Sequence, residues 1–328
     1  MSGPHKLALI GAGRIGRIHA RNAALHPKLT LACVVDPVAA SADQLAAEWG
    51  AHVATLDQVM NDPSIAGVIV ASSTDTHLPT SVRAAQAGKA IFCEKPIDQD
   101  LQRARAAAQT LRGARLLLAF NRRFDPNFQV LKAKLDSGAI GRLETLQITS
   151  NDPAPPPPAY VAVSGGLFKD MAIHDFDMAR WLLGEEPSEV YAVGSCLVDP
   201  EIGKLGDIDT ARTLLKTASG RLCVISNSRR SGFGYDQRIE AYASAGMVRA
   251  DNVLETTLKV LTETGAAGDR LQNFFLDRYA EAYRREMDHF ADMLEGAAAS
   301  VGYEDGVAAL ALAEAAAESA RTRRVVRL

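Results

Sequence analysis

The chain has 328 residues, of which 47% are hydrophobic and 23% charged, and its formal net charge is −3 at pH 7. This length predicts two domains, and the composition is typical of globular proteins rather than of disordered or membrane-spanning chains. The small net charge gives no basis for expecting a nucleic acid or an anionic membrane as a partner. Four widely spaced cysteines form no C-x-x-C pair, and no secretion signal is evident. We therefore expect a cytoplasmic protein with reduced thiols.

A glycine-rich turn follows the first apolar run of the chain, residues 6–10. It precedes a helical pattern that continues to Leu25, and its spacing is G-x-G-x-x-G. Between a strand and a helix, this spacing is typical of a dinucleotide-binding turn, in which glycines admit the pyrophosphate at the helix N-terminus. The residues of this turn that we assign to cofactor binding are Gly11, Gly13, Arg14, Ile15 and Gly16.

The second predicted strand, residues 29–35, ends in Asp36, which lies 20 residues after Gly16. A carboxylate at this position can bind the ribose 2′-hydroxyl of NAD and would repel the 2′-phosphate of NADP. No arginine stands beside Asp36 to bind that phosphate, since the next residues are Pro, Val and Ala. NAD is therefore the expected cofactor, although Asp36 can equally cap the helix that starts nearby.

Strand-like and helical patterns alternate through residue 119 and predict an α/β fold. The strands are expected at residues 66–71, 90–93 and 114–119, with helices at 79–87 and 101–111. This alternation indicates an N-terminal Rossmann domain, residues 1–120, with a doubly wound parallel sheet.

Ligands of such sheets bind beyond the carboxyl ends of the strands. The residues that follow two of these strands, and that we also assign to cofactor binding, are Ser72, Thr74, His77, Glu94 and Lys95. The position of Lys95 before a proline favours a functional role over that of a solvated loop lysine. His77 can instead be a residue that only begins a helix.

Residues 121–328 predict a second, α+β domain with a large open and mainly antiparallel sheet. The expected strands are residues 143–149, 189–198, 211–218, 222–228, 238–243 and 258–262, with a hairpin turn at Ser219-Gly220. An exposed sheet of this size is a natural surface for a homo-oligomer, a tetramer or a dimer. The helices predicted at residues 274–294 and 306–321 are expected to pack back against the first domain. The proline-rich residues 151–158 are a stiff linker or a wall of the site.

The stretch 165–184 reads as one helix that follows a Gly-Gly pair and stops at a glycine. Asp170 and His174 are four residues apart and would lie on one face of that helix. A carboxylate one turn from an imidazole can orient a proton-transfer group. Taken alone, the pair is also compatible with an ordinary structural histidine.

Together, the glycine-rich turn, Glu94-Lys95-Pro96 and Asp170-x-x-x-His174 resemble the Gfo/Idh/MocA family of sugar and polyol dehydrogenases. The strings at residues 120–125, 151–156 and 234–240, and the stretch 170–181 opened by Gly165-Gly166, resemble the inositol 2-dehydrogenase branch of that family. The resemblance implies a catalytic set of Lys95, Asp170 and His174. The substrate contacts that it implies are Lys95, Arg123, Asp152, Asp170, His174 and Tyr235. Asn151 and Lys169 depart from the pattern of the branch and bear on the choice of substrate.

The resemblance implies NAD-dependent oxidation of a ring secondary hydroxyl of a cyclitol, with myo-inositol converted to the 2-keto inosose in inositol catabolism. Either His174 or Lys95 accepts the hydroxyl proton, and no metal is required. The alternatives are a scyllo-inositol dehydrogenase, a pyranose dehydrogenase of the glucose or galactose type, and an NAD-dependent glycosidase. A nucleotide-bound sensor is disfavoured, because the catalytic residues are present.

Overall fold

The structure is a computed structural model that describes residues 3–328. The chain divides into two compact units. The first comprises the residues up to Phe124 together with Ala282–Ala308, and the second comprises Asp125–Glu281 together with Ala309–Leu328. Thus helical residues near the C-terminus belong to the first unit. Within residues 3–328, no helix combines the length and apolar character needed to cross a membrane.

The first unit contains a six-stranded parallel sheet with the strand order β3-β2-β1-β4-β5-β6. The strands are β1 His5–Ile10, β2 Leu29–Val35, β3 His52–Val53, β4 Ile65–Val70, β5 Ala90–Glu94 and β6 Leu116–Ala119. The helices are α1 Arg14–Leu25, α2 Ala39–Trp49, α3 Leu56–Asn61, α4 His77–Gln86, α5 Leu101–Ala106 and α6 Ala108–Leu111. This order is that of a doubly wound dinucleotide-binding fold, and the predicted fold class is confirmed.

Hydrophobic burial on both faces explains why the central strands of this sheet are nearly continuous runs of Val, Ile and Leu. Leu7, Leu9, Ile69 and Phe92 are all completely inaccessible to solvent. The predicted strands 66–71 and 90–93 are observed within one residue of their expected bounds. The helix predicted at 101–111 is divided at Ala107 into α5 and α6. The sequence pattern gave no bounds for α2, β3 and α3.

The second unit contains a seven-stranded sheet with the order β12-β11-β7-β10-β9-β8-β15. Its strands are β7 Leu143–Asn151, β8 Pro187–Ser195, β9 Thr210–Thr217, β10 Leu222–Ser228, β11 Asp236–Ala243, β12 Gly246–Ala250 and β15 Val326–Arg327. Among the described residues, β7 and β10 are the only neighbours in this sheet that pair in parallel, and the other pairs are antiparallel. The predicted open and mainly antiparallel sheet is therefore confirmed, with β12 as a strand that the pattern missed. The strand predicted at residues 258–262 does not join this sheet but forms a separate two-stranded hairpin.

The remaining elements complete the two units. They are α7 Pro126–Asp136, α8 Pro158–Ser164, α9 Gly166–Asp170, α10 Ile173–Leu183, α11 Pro200–Lys204, α12 Phe275–Arg278, α13 Ala280–Leu294, α14 Tyr303–Thr322 and the hairpin β13 Lys259–Thr262 with β14 Gly265–Gly268. The helix predicted at 274–294 is interrupted at Tyr279, between α12 and α13. Pro158, predicted to lie in an irregular linker, is the first residue of α8.

The prediction of one continuous helix over residues 165–184 was wrong. Asp170 is the last residue of α9, and His174 is the second residue of α10. The N–H groups of Met171 and Ala172 both donate to the carbonyl of Leu167. This shared acceptor widens the turn and ends the regular i to i−4 pattern, so a break separates the two side chains.

A buried carboxyl group in the first unit has no hydrogen-bond partner among the described residues. Glu286 lies on the buried face of α13 and is completely inaccessible to solvent. Burial raises the pKa of Glu286 well above its ordinary value, and the negative charge of Glu94 raises it further. The Glu286 carboxyl group therefore favours its neutral, protonated form, because an unpaired buried charge would be far more costly.

We predict that Glu286→Gln raises the free energy of unfolding, relative to the wild type, more at pH 8 than at pH 5. In the wild type, the unfolded chain releases the Glu286 proton above about pH 4.3, whereas the folded chain retains it up to the raised pKa. Stability therefore falls as the pH rises through this window, and glutamine removes that loss. Urea unfolding should show the variant gaining at least about 1 kcal/mol on the wild type between the two pH values. Glu263→Gln, at an exposed position, is the control and should show the pH dependence of the wild type. If Glu286→Gln also showed the pH dependence of the wild type, a neutral Glu286 would be contradicted.

Candidate functional site

The glycine-rich turn of the first unit contains two glycines that the fold itself requires. Gly11 has a φ of 104°, and a Cβ atom there would lie 2.5 Å from the carbonyl oxygen of Ala71. A Cβ atom on Gly16 would lie 2.0 Å from the carbonyl oxygen of Gly11. By contrast, a Cβ atom on Gly13 would meet no atom within 4 Å. Packing therefore explains Gly11 and Gly16, whereas Gly13 borders open space.

That open space lies at the N-terminus of α1, for which Gly13 is the N-cap residue. No side chain caps this end of the helix. The N–H groups of a first helical turn and the positive end of the helix dipole form a favourable site for a phosphate. The residues present thus fit the pyrophosphate of a dinucleotide, which a side chain at position 13 would obstruct.

The Asp36 carboxylate is fixed by backbone donors after β2. One oxygen accepts the N–H of Ala12 at 2.7 Å, and the other accepts the N–H of Val38 at 2.8 Å. Val38 is the N-cap residue of α2, but no side-chain cap is formed there. Asp36 therefore connects the glycine-rich turn to the start of the α2 segment. Its contact with the cofactor ribose stays a prediction.

The segments that follow β4 and β5 are joined by His77, which is 2% exposed. Its Nδ1 atom lies 2.8 Å from the carbonyl oxygen of Pro96, and its Nε2 atom lies 3.1 Å from that of Ser72. The hydroxyl groups of Ser72 and Thr76 are 2.6 Å apart. The first unit therefore brings the predicted Ser72 and Lys95-Pro96 segments together through a buried imidazole, with Thr74 in the intervening turn.

Glu94 lies beside Lys95 and is buried beneath the strand end. Its Oε1 atom is 2.7 Å from Nε2 of His19, and its Oε2 atom accepts the backbone N–H of Lys95 at 3.3 Å. Burial alone would raise the pKa of Glu94, but the hydrogen bond with His19 and the charge of Lys95 outweigh it and lower the pKa. An ionised Glu94 thus anchors the main chain that carries Lys95.

Arg123, a predicted substrate contact, is 8% exposed in the first unit. Its guanidinium donates to Asp305 at 2.8 Å and to the carbonyl of Ser300 at 3.3 Å. These contacts connect the end of the Rossmann segment to the start of α14. They give Arg123 a structural role, while its contact with a substrate stays a prediction.

Asp170 in the second unit has a defined partner for each carboxylate oxygen. The hydroxyl of Tyr160 donates to Oδ1 at 2.7 Å, and the guanidinium of Arg229 donates to Oδ2 at 3.1 Å. The same guanidinium lies 4.0 Å from Oδ2 of Asp152. The structure therefore brings two predicted substrate residues, Asp152 and Asp170, to a single buried arginine.

The other predicted groups of the second unit are His174 and Tyr235. His174 lies in the first turn of α10, four residues after Asp170. Tyr235 is 6% exposed and packs edge-on against Tyr279 with ring centroids 6.0 Å apart. Contacts of His174 and Tyr235 with a substrate therefore stay predictions.

Arg229 is a residue of this site that the sequence analysis missed. In sequence, Arg229-Arg230 looks like a solvated basic pair that follows a strand. The alternation of β10 carries a signal, because Cys223, Ile225 and Asn227 are buried and Arg229 continues their parity. The neighbouring Arg230 is exposed.

A metal centre finds no support in the described part of the chain. Among residues 3–328, no group of three or more His, Cys, Asp or Glu side chains is arranged to hold a metal ion.

Two family profiles match the chain along most of its length. Residues 5–121 match an oxidoreductase family with an NAD-binding Rossmann fold. Residues 128–249 match the GFO/IDH/MocA C-terminal domain. The two matches correspond to the two kinds of sheet described above.

Whole-chain relatives share both sequence and fold. An inositol 2-dehydrogenase of Rhizobium meliloti is 45% identical, over 98% of each chain. A crystal structure of a myo-inositol dehydrogenase from Corynebacterium glutamicum is 42% identical, with a TM-score of 0.95 over 99% of each chain. A scyllo-inositol dehydrogenase from Lactobacillus casei, solved with NAD(H) and scyllo-inositol, is 29% identical, with a TM-score of 0.89 over 99% of this chain and 98% of that one.

We predict that alanine weakens cofactor binding at one glycine of the turn and lowers stability at another. Gly13→Ala should keep the thermal stability of the wild type, because the added methyl group meets no protein atom. It should weaken NADH binding at least about tenfold by obstructing the approach of the pyrophosphate. Gly16→Ala should lower the free energy of unfolding by about 3 kcal/mol, because its methyl group would collide with the backbone of the turn.

Fluorescence titration with NADH and thermal unfolding of both variants measure these two effects. A Gly13→Ala protein that is stable and binds NADH like the wild type would contradict the assignment of the turn to the pyrophosphate.

Proposed function

Because the chain belongs to the Gfo/Idh/MocA family of oxidoreductases, we propose that it oxidises a ring secondary hydroxyl of a cyclitol with NAD. We further propose that its substrate is myo-inositol and its product the 2-keto inosose. The observation that carries this proposal is the pair of carboxylates, Asp152 and Asp170, held at one buried arginine, with Asp170 four residues before His174. Fixed acceptors of this kind suit a substrate rich in hydroxyl groups. The whole-chain likeness to inositol dehydrogenases supports the same substrate class.

The reaction requires a hydroxyl proton to be removed while a hydride leaves the same carbon. The nicotinamide, when bound, accepts the hydride. In our proposal His174 takes the proton, since the ordinary pKa of an imidazole is near neutrality. Lys95 donates a hydrogen bond to the reacting oxygen and stabilises its developing negative charge. The reverse assignment, with Lys95 as the base, is the alternative mechanism.

The preference for NAD over NADP rests on Asp36. The carboxylate follows β2 and is held by the backbone of Ala12 and Val38. A negative charge fixed there favours a ribose hydroxyl and repels a 2′-phosphate. Glu94 supports the cofactor site by anchoring the backbone of Lys95. We assign the turn residues Arg14 and Ile15 to the cofactor site as well.

A second candidate is oxidation of scyllo-inositol, favoured by the likeness to a scyllo-inositol dehydrogenase solved with that compound. Arg123 and Tyr235, together with Asp152, are the residues that we propose to distinguish the stereoisomers. Asn151 contributes to this choice through Asp236, to which its amide donates at 3.1 Å.

We propose a cytoplasmic location and a place in inositol catabolism. All four cysteines are free, and Cys33, Cys93 and Cys223 are buried. Free thiols are typical of a reducing compartment.

Turnover with a panel of cyclitols and pyranoses tests the proposal. We expect NADH to form with NAD and myo-inositol or scyllo-inositol, and NADP to be a poorer acceptor. His174→Ala and Lys95→Ala should each lower kcat by about 100-fold or more, because each removes a group that acts on the reacting hydroxyl. The exposed His52→Ala and Lys134→Ala are matched controls and should retain full activity. Absence of NADH formation with every cyclitol would refute the proposed function, and glycoside cleavage without net NADH would indicate a glycosidase.

We also propose that the open face of the seven-stranded sheet joins copies of this chain in a homo-oligomer, a tetramer or a dimer. Tyr191, Leu214 and Val224 lie opposite one another on β8, β9 and β10. They are 37%, 40% and 42% exposed. An apolar row that crosses adjacent strands is a surface that soluble monomers seldom leave bare.

We predict that Leu214→Glu reduces the assembly to smaller species, because it places a charge in the middle of that row. Light scattering coupled to size exclusion should give a multiple of the 35.0 kDa chain mass for the wild type and a lower multiple for the variant. Leu25→Glu, at a site that is 65% exposed in the first unit, is the control and should not change the mass. A monomeric wild type would exclude the proposed assembly.

A further inference from the structure

Arg229 is a buried cation that contacts two carboxylates. Its side chain is 2% exposed, and those of Asp170 and Asp152 are 12% and 26% exposed. The guanidinium donates to Asp170 at 3.1 Å and lies 4.0 Å from Asp152. Placing a charge at so low an exposure is costly unless it is paired. The arginine and the two acids therefore form one electrostatic unit, which we call the Arg229 cluster.

The register of the parallel strand pair creates this cluster. Asn151 of β7 pairs with Ser228 of β10, so Asp152 and Arg229 both follow the ends of paired strands. The N–H of Asp152 donates to the carbonyl of Ser228 at 2.9 Å. The N–H of Arg229 donates to the carbonyl of Asp209 at 2.8 Å. Both backbones are thus fixed before their side chains are considered.

The side-chain contacts then fix the orientation of Asp170. Its carboxylate lies between the Tyr160 hydroxyl at one oxygen and the Arg229 guanidinium at the other. An arginine suits this position because its planar fork stays charged and can address two acceptors in fixed directions. A lysine would supply a single point charge and could not hold both acids in the same way.

We infer that Arg229 is a positioning residue for the dehydrogenase reaction. It holds Asp170 and Asp152 in the orientation in which they accept hydrogen bonds from the hydroxyl groups of a neutral polyol substrate. It also offsets the repulsion between these two carboxylates, which would otherwise rotate apart. This inference rests on the proposed function, because the residue acts through Asp170 and Asp152 rather than on the reacting atoms.

A double-mutant cycle between Arg229 and Asp170 tests the inference. Arg229→Met should lower kcat/KM for the best cyclitol about 100-fold in the wild-type background, because it leaves Asp170 without its charged partner. In the Asp170→Asn background, the same change should cost about tenfold or less, since only Asp152 is left for Arg229 to position. The affinity for NADH should stay unchanged in all four proteins. Arg230→Met, the change at the exposed neighbour, is the matched control and should leave kcat/KM unchanged.

Arg229→Lys keeps a positive charge and serves if Arg229→Met does not fold. It should lower kcat/KM about tenfold in the wild-type background. In the Asp170→Asn background, the same change should lower kcat/KM by a much smaller factor. Equal losses in both backgrounds would indicate a purely structural arginine and overturn the inference. Unchanged kcat/KM in a folded variant would overturn it as well.

Turnover by the wild type is measured first, which distinguishes two kinds of failure. A wild type that is inactive with every cyclitol refutes the proposed function and, with it, the role of Arg229 in that reaction. An active wild type with uncoupled Arg229 and Asp170 overturns the positioning role alone.

Discussion

Parallel pairing of neighbouring strands is the constraint on which both halves of the proposed chemistry depend. Parallel strands end at the same edge of a sheet, so the residues that follow them are brought together whatever their separation in sequence. In the first unit, β1, β4 and β5 are neighbours, and the residues after them include the glycine-rich turn and Lys95. In the second unit, the parallel β7 and β10 bring Asp152 and Arg229 side by side.

Carboxylates with little solvent exposure are stabilised in different ways in this protein, and the differences correspond to different roles. Glu94 interacts with a histidine, and Asp170 interacts with Arg229 and a tyrosine. Burial would raise the pKa of Asp209, but hydrogen bonds from three successive backbone N–H groups lower it to about 2. Glu286 lacks such partners among residues 3–328 and is held neutral. The paired carboxylates thus carry charge beside the proposed site or at a loop, while the unpaired one carries a proton in the core.

Much of the fold was predictable because its signals are local. Continuous Val, Ile and Leu runs bounded by glycine or polar residues marked the parallel strands, and strand-like runs on either side of Ser219-Gly220 marked β9 and β10. The helix over residues 165–184 was wrong because its interruption depends on which carbonyl two N–H groups share. The sequence pattern contains no local breaker at Met171 or Ala172. The strand β12 was missed because it is short and mostly exposed.

The sequence by itself determined the dinucleotide turn, the alternation of strands and helices in the first unit and the chemical identity of the candidate groups, since each depends on neighbours in the chain. It named Lys95, Asp170 and His174 through spacing and resemblance. Only the tertiary structure decided that Arg229, rather than the adjacent Arg230, is buried against Asp170. Burial and pairing of that kind depend on strand register, which joins residues that are distant in sequence. The same reason explains why Gly13 and Gly16 look alike in the sequence yet differ in what surrounds them.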